Sequence, residues 1–416
     1  MAGRERGPCV RRARHCVPWG RPSTYWIVAA VCASAWLCSI GSAAPRYDPG
    51  VSDTEIKIGQ TMAYSGPASA YGTIGRAEAA YFDKINSEGG VNGRKITLIS
   101  VDDGYSPPRT VEQTRRLVEQ EGVLLLFSSL GTDPNAAVHA YLNAKHVPQL
   151  FIASTGMQWD DPGHFPWTMA LAPNQRVNLA HETQFLLEGH PQSKIAVLYE
   201  NTDFGREYLA VLKELLGERA HGMIVAEASY ETSDATVDTQ IIALQASGAD
   251  TFFNFSTPKF AAQSIRKIYD LGWRPTHFLS SAVSSIATVL EPAGLEKSVG
   301  LISVAYWKDP TDPRLRDDPA VRDYLAWMAR FYPRGDVSEI QNVFGYSAAQ
   351  LTVHVLRKCR DEVTRENVMR QAASLEHVEL PMLLPGITVN TRPDDYLPIK
   401  DMQMVRFDGR QWVPFP

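Results

Sequence analysis

Val123-Leu124-Leu125-Leu126-Phe127-Ser128-Ser129-Leu130-Gly131-Thr132-Asp133-Pro134 runs from five apolar residues through a hydroxyl- and glycine-rich turn to a proline. An unbroken apolar run bounded by turn residues is the pattern of a parallel strand covered on both faces. Proline is favoured at the first position of a helix, where its missing N–H would go unpaired anyway. The stretch therefore predicts a strand over 123–127 and a helix over 135–145. Val147-Pro148 interrupts the chain, and 149–153 reads as the next strand, ending in Ala153-Ser154-Thr155. The same unit returns later. Phe255-Ser256-Thr257-Pro258 leads into a helix, Arg274-Pro275 breaks it, and a strand ends at Ser280-Ser281. One account is ordinary capping, since any strand–helix unit starts its helix with Ser, Thr or Asp. The other is a pair of related lobes, each placing such a turn at the C-terminal ends of its strands, where open α/β sheets bind ligands. The N–H groups at a helix start favour a negatively charged ligand group.

Outward from these two units the alternation continues. Strands are expected at 56–59, 96–101, 194–199, 223–228, 251–255 and 276–279, with helices at 75–87, 111–121, 205–216, 237–246 and 260–271. Strand and helix alternating in this way specify an α/β fold with open parallel sheets covered on both faces. Beyond Ser281 the order loosens: a strand over 300–307, a proline-rich loop, amphipathic helices over 321–332 and 347–358, and a closing hairpin of 402–407 and 411–415 turning at Asp408-Gly409.

Residues 1–44 carry six arginines and one glutamate, then an apolar run over 25–40, then Gly41-Ser42-Ala43-Ala44. A basic head, a short apolar middle and a small-residue exit mark a secretory signal peptide, so export with cleavage near Ala43 or Ala44 and a periplasmic location are expected. An uncleaved anchor is the competing account, although the run is short of the ~20 residues that span a bilayer. Those 44 residues hold five of the chain's positive charges net, so the remainder carries −10 against −5 for the whole chain. An acidic chain repels phosphate backbones, which argues against nucleic acid as a partner. Cys9, Cys16, Cys32 and Cys38 leave with the leader, and Cys359 alone cannot form an internal disulfide. The remaining ~370 residues exceed what one core usually organises, so two lobes are expected.

Catalytic chemistry finds little support. There is no Gly-x-Ser-x-Gly elbow and no phosphate loop ending in Gly-Lys-Ser/Thr. No histidine pair has i,i+4 spacing for a metal. His181-Glu182 is expected on the surface of a helix, Asp102-Asp103 at a strand end capping the turn that follows, and Cys359 as a packed thiol. No enzyme activity, cofactor or metal is expected.

The chain resembles the leucine/isoleucine/valine-binding family, the type I periplasmic solute-binding proteins of ABC transporters. The resemblance spans residues 48–416. It rests on 50–59 (Gly-Val-Ser-Asp-Thr-Glu-Ile-Lys-Ile-Gly), Tyr64-Ser65-Gly66-Pro67, Gly89-Gly90-Val91-Asn92-Gly93-Arg94, Asp102-Asp103 and Val147-Pro148. Asp203-Phe204-Gly205, Ser247-Gly248-Ala249-Asp250 and Leu384-Pro385-Gly386-Ile387 extend it. It implies two Rossmann-like lobes joined by a three-crossover hinge near 168–173, 300–306 and 380–388. One lobe would hold 45–169 with 303–384, the other 170–302 with 385–416. It also implies closure on a ligand and delivery to an inner-membrane ABC permease with its ATPase; a monomer is expected.

Carried over position by position, the resemblance puts the ligand carboxylate at Ser129 and the neighbouring N–H groups of Gly131 and Thr132. Ala153 and Thr155 follow from the next strand end, and Tyr71 is the aromatic after Ser65-Gly66-Pro67. In the second lobe the implied positions are Phe204, Ser256, Thr257 and Ala282. The family's tyrosine falls on Ser256, and the acid that holds an amino group falls on Ala282. The family's early cysteine pair falls on Tyr105 and Ser128, so its disulfide is absent. An ammonium buried without a carboxylate partner costs several kcal/mol, so the expected ligand is a small aromatic or otherwise hydrophobic carboxylate. Tyr71, Trp159 and Phe204 would supply apolar walls. Alternatives are a branched-chain or other amino acid or amide, with Glu200 standing in for the missing acid, an extracellular receptor module of the same fold, and a secreted enzyme. A receptor would need a membrane span after the lobe pair, and the sequence to Pro416 offers no such run.

Overall fold

The structure, a computed structural model, describes residues 46–415. The expected signal peptide and four of the five cysteines lie outside the described residues. Among the described residues fourteen strands occur, in chain order: β1 (Arg46–Tyr47), β2 (Glu55–Met62), β3 (Lys95–Asp102), β4 (Leu126–Phe127), β5 (Gln149–Ile152), β6 (Thr168–Ala170) and β7 (Ile195–Glu200). There follow β8 (Ile224–Tyr230), β9 (Thr251–Phe255), β10 (Thr276–Leu279), β11 (Ile302–Ala305), β12 (Glu362–Val363), β13 (Gln403–Phe407) and β14 (Trp412–Pro414).

The first lobe is built on a five-stranded, all-parallel sheet in the order β3-β2-β4-β5-β6. The apolar run that opens the sequence argument is at its centre, with Val123 through Phe127 at most 1% exposed. Only Leu126 and Phe127 pair regularly, so β4 is shorter than the run that predicts it. Helices Thr73–Ser87, Pro107–Glu119 and Thr132–Ala144 connect these strands, and Ile340–Cys359 packs along Thr73–Ser87. An aromatic cluster joins those two helices to Pro319–Phe331: the Tyr81 and Tyr346 rings meet edge-on at 5.0 Å, and Tyr324 meets Tyr346 at 5.2 Å. Cys359 is buried and free, and burial pushes its thiol up to about 12, as a packed side chain requires.

The second lobe carries a seven-stranded sheet, β14-β13-β11-β10-β9-β7-β8. Strands β7 to β11 are parallel, while β13 and β14 add an antiparallel edge, the expected terminal hairpin. The sheet is thus mixed rather than purely parallel: after β11 the chain passes through helices Pro319–Phe331, Ile340–Cys359 and Arg365–Ala372 before β13 returns antiparallel to β11 and turns into β14. Strand β11 ends at Ala305, and Trp307 then bridges antiparallel to Leu383, so two chain crossings run side by side there.

Two local expectations need correction. The helix after β4 starts at Thr132, so Pro134 is its third residue; the first four N–H groups of a helix have no partner within it, so a proline there is tolerated equally well. Glu182 is not at the surface. It is 1% exposed, on the inward stripe with Leu179 and Leu186 of helix Gln175–Gly189. Its Oε1 has no partner, and burial alone holds its carboxyl well above the usual range. A carboxyl raised in the fold is protonated there but ionised in the unfolded chain, so its contribution is full below the unfolded value near 4.3 and declines as pH rises. Glu182→Gln keeps the shape without the proton. It is expected to match wild type near pH 5 and to be more stable at pH 8 by about 1–3 kcal/mol, the order of an unsatisfied buried polar group. Urea titrations at the two pH values measure this, and equal differences at both would contradict it.

Candidate ligand site

The C-terminal ends of β4 and β5 in one lobe and of β9 and β10 in the other converge on one cavity of about 150 Å³. Eight of the ten residues singled out in the sequence line it: Tyr71, Gly131, Thr132, Ala153, Thr155, Phe204, Thr257 and Ala282. Ser129 and Ser256 do not. Ser128 sits at φ 48°, and the Ser129 hydroxyl accepts from the Thr61 N–H at 3.2 Å. Ser256 donates its hydroxyl to Asn254 within the second sheet. Trp159 also lies outside the wall. It is fully buried, and its indole N–H donates to Ser154 Oγ at 3.0 Å.

The first-lobe wall presents polar groups with open valence. Thr155 Oγ1 is buried without a hydrogen-bond partner, with the Tyr208 hydroxyl near it. Thr132 Oγ1 and Ser154 Oγ are 2.8 Å apart, and the Thr132–Ala144 helix start has no side-chain cap on its N–H groups. Beneath the turn is a buried polar chain. Tyr64 OH meets Ser100 Oγ at 2.6 Å, Ser100 donates to Gln60 Oε1 at 2.7 Å, and Gln60 Nε2 donates to Glu78 and to the Ser128 carbonyl. That chain ties the turn to the strands beneath it, although Glu78 Oε1 at its end has no partner. Tyr105, which sequence reasoning missed as a site residue, also lines the cavity; burial holds its phenol well above the ordinary value, so it stays a neutral donor. Asp102 and Asp103 cap the loop that carries it. Asp102 accepts from the Tyr64, Ser65 and Gly104 N–H groups, and Asp103 from Tyr105 N–H and Thr110. Burial pulls Asp102 up, but those bonds and the Ser65 hydroxyl bring it down to about 2.

In the second lobe the Ala282 carbonyl is taken from across the cleft, by Tyr71 OH at 2.9 Å and Gln341 Nε2 at 3.3 Å. Glu200 does not turn toward the cavity; it accepts from Thr202, Thr257 and Tyr230 hydroxyls at 3.0, 3.0 and 3.1 Å. Other bridges hold the lobes together. Asp133 of the first lobe accepts from the Asp203 N–H at 2.9 Å, capping helix Asp203–Leu216, whose own Thr202 provides no side-chain cap. Met157 N–H donates to Glu207 at 3.1 Å, and Ser285 to the buried Glu339 at 2.8 Å. Burial in this seam, with Asp203, Asp160 and Asp133 alongside, pushes Glu207 up to about 7. Because Asp133 caps a helix of the opposite lobe, Asp133→Ala is expected to weaken ligand binding by about 3- to 30-fold, the range of a lost N-cap, mainly through faster release. Stopped-flow dissociation measures this; an unchanged release rate would contradict it.

Two α/β lobes meeting at a small, largely apolar cavity with hydroxyl and N–H donors at one wall define a solute-binding protein. The chain belongs to the periplasmic binding protein family, of the Leu/Ile/Val-binding type: the family's profile matches residues 55–411. The Leu/Ile/Val-binding protein homolog 7 of Brucella abortus is 23% identical over 337 residues, covering 78% of this chain and 82% of that protein. Among solved structures, a branched-chain amino acid ABC transporter protein from Thermus thermophilus with bound valine superposes with a TM-score of 0.79 at 15% identity, covering 88% of this chain and 96% of that one. A fatty acid ABC transporter substrate-binding protein from Thermomonospora curvata gives 0.74 at 21% identity, covering 89% and 94%. The family is periplasmic and binds solutes for ABC transporters. Among the described residues no helix is long and apolar enough to cross a membrane.

Proposed function

We propose that this protein captures a small carboxylate with an apolar, aromatic or otherwise hydrophobic body and passes it to an inner-membrane ABC permease and its ATPase, after export with cleavage near Ala43 or Ala44. The observation that carries the reading is Ala282. A methyl group stands where the family resemblance puts the ammonium partner, its carbonyl accepts from Tyr71 and Gln341, and Glu200 bonds within its own lobe. A ligand ammonium placed beside Ala282 would have no carboxylate partner there. The opposite wall suits an anion: Thr155 Oγ1, the Tyr105 phenol and the uncapped Thr132 helix start are donors without a competing carboxylate bond. A cavity of about 150 Å³ is also the size that admits a single benzene ring. The Thermomonospora curvata neighbour, a fatty acid carrier by name, supports a hydrophobic acid in this fold.

A second reading, an amino acid, is favoured by the names of the Brucella abortus and Thermus thermophilus relatives and by Asp309, an acid on the cavity wall. Thermal shifts separate the two. Ligand at 100 times its dissociation constant stabilises by about 2.7 kcal/mol, or roughly 3–5 °C for a chain of this size. At least one benzoate-, phenylpropanoate- or short fatty-acid-type ligand is expected to reach that shift, with leucine, isoleucine and valine near zero. A strong leucine shift without any acid response would restore the amino-acid reading.

A further inference from the structure

A second polar group lines the same cavity away from the carboxylate wall. Asp309, Asp312 and Arg314 lie on the loop after β11. Asp312 is 6% exposed and grips Arg314, accepting from Nε at 3.0 Å and from Nη2 at 2.6 Å. Arg314 Nη2 also donates to the Trp412 carbonyl at 3.3 Å, and Trp412 Nε1 donates to the Ser284 carbonyl at 2.8 Å, which ties the loop to the second lobe. These contacts hold the guanidinium in place while Nη1 makes no hydrogen bond among the described residues. Asp309 accepts through Oδ1 alone, from Thr311 N–H at 2.8 Å and its hydroxyl at 2.7 Å, leaving Oδ2 open. Burial raises the Asp309 carboxyl, and its bonds to Thr311 act against that.

None of these side chains shares a hydrogen-bond partner with Thr132 or Thr155, and apolar Ile286, Tyr306, Phe344 and Val405 complete the wall. The cavity thus offers an anion seat, an apolar body and a second group with one open acceptor and one open donor. Two acids against one base leave that group net negative, so a second ligand carboxylate would be repelled there. A neutral hydroxyl satisfies both open valences, donating to Asp309 Oδ2 and accepting from Arg314 Nη1.

We infer that Asp309 and Arg314 determine specificity for a hydroxyl on the ligand at the end remote from its carboxylate. The inference rests on the acid reading above and narrows it to hydroxylated apolar acids. Arg314 is partly exposed, so the discrimination comes from what the hydroxyl gains: hydrogen bonds to charged groups, which the analogue lacking it cannot make.

Calorimetric titration with matched pairs tests this: 4-hydroxybenzoate against benzoate, and 3-(4-hydroxyphenyl)propanoate against 3-phenylpropanoate. The hydroxylated member of at least one pair is expected to bind at least about tenfold tighter. Asp309→Ala is expected to narrow that ratio to within about threefold, and Arg314→Gln provides the same reading should the first variant fail to fold. Equal affinities within both pairs would overturn the hydroxyl site and leave the acid reading standing. A preference that persists undiminished in both variants would also overturn it. Binding of no acid at all, hydroxylated or not, would overturn both.

Discussion

Gly205→Ala is expected to destabilise the protein by about 3–5 kcal/mol, at the severe end for one added methyl group. Gly205 is the third residue of helix Asp203–Leu216. A Cβ built there would lie 2.1 Å from the Glu200 carbonyl oxygen, 2.6 Å from its nitrogen and 2.9 Å from its carbonyl carbon. All three are backbone atoms at the end of β7, so no side chain can swing aside. The helix start would have to lift from the strand. It carries Phe204 at the cavity and the Asp203 N–H that Asp133 caps from the other lobe, so ligand binding should fall with stability. Gly189→Ala is the control, since nothing lies within 4 Å of its Cβ position; it should change stability by no more than about 0.5 kcal/mol. Urea denaturation of both variants measures the difference, and a Gly205→Ala variant within 1 kcal/mol of wild type would contradict this close-packing account.

The strand–helix alternation up to β10 was legible because parallel strands buried on both faces are written as unbroken apolar runs, as at 123–127 and 251–255. Legibility failed where tertiary contact overrides local pattern. Helix Ile340–Cys359 starts seven residues before the stretch that periodicity picks out. Gly345 reads as a helix breaker, yet a Cβ there would be 2.6 Å from the Ile74 carbonyl oxygen, so its missing side chain is what lets the two helices approach. Glu182 shows the converse, a charged residue type placed on the inward stripe, which no amphipathic pattern flags.

The site divides along the same line. Gly131, Thr132, Ala153, Thr155 and Thr257 could be read because they sit at strand ends and helix starts, whose geometry follows from the α/β pattern. The role of the Ser129 hydroxyl could not, because it depends on the backbone turning at Ser128 toward the Thr61 N–H. Asp309, Arg314 and Trp412 come from an irregular loop and an edge strand, brought to the cavity by contacts between segments about 100 residues apart. Nothing local to their sequence announces them. Asp133 was legible as part of a helix start but not as a cap for a helix in the other lobe, a role that exists only with the lobes together.

The most direct measurement compares a ligand acid with the same molecule bearing an α-ammonium group. 3-Phenylpropanoate and phenylalanine form the reference pair, and the phenylpropanoate- or fatty-acid-type ligand with the largest thermal shift, set against its α-amino counterpart, forms the second. Each pair shares body and carboxylate, so the difference isolates the ammonium that Ala282 leaves unpartnered. Burying that charge unpaired costs several kcal/mol, so in calorimetry the acid of the second pair should bind at least about 100-fold more tightly than its amino counterpart. Tighter binding of the amino acid in both pairs would contradict the account and place an ammonium partner in this cavity.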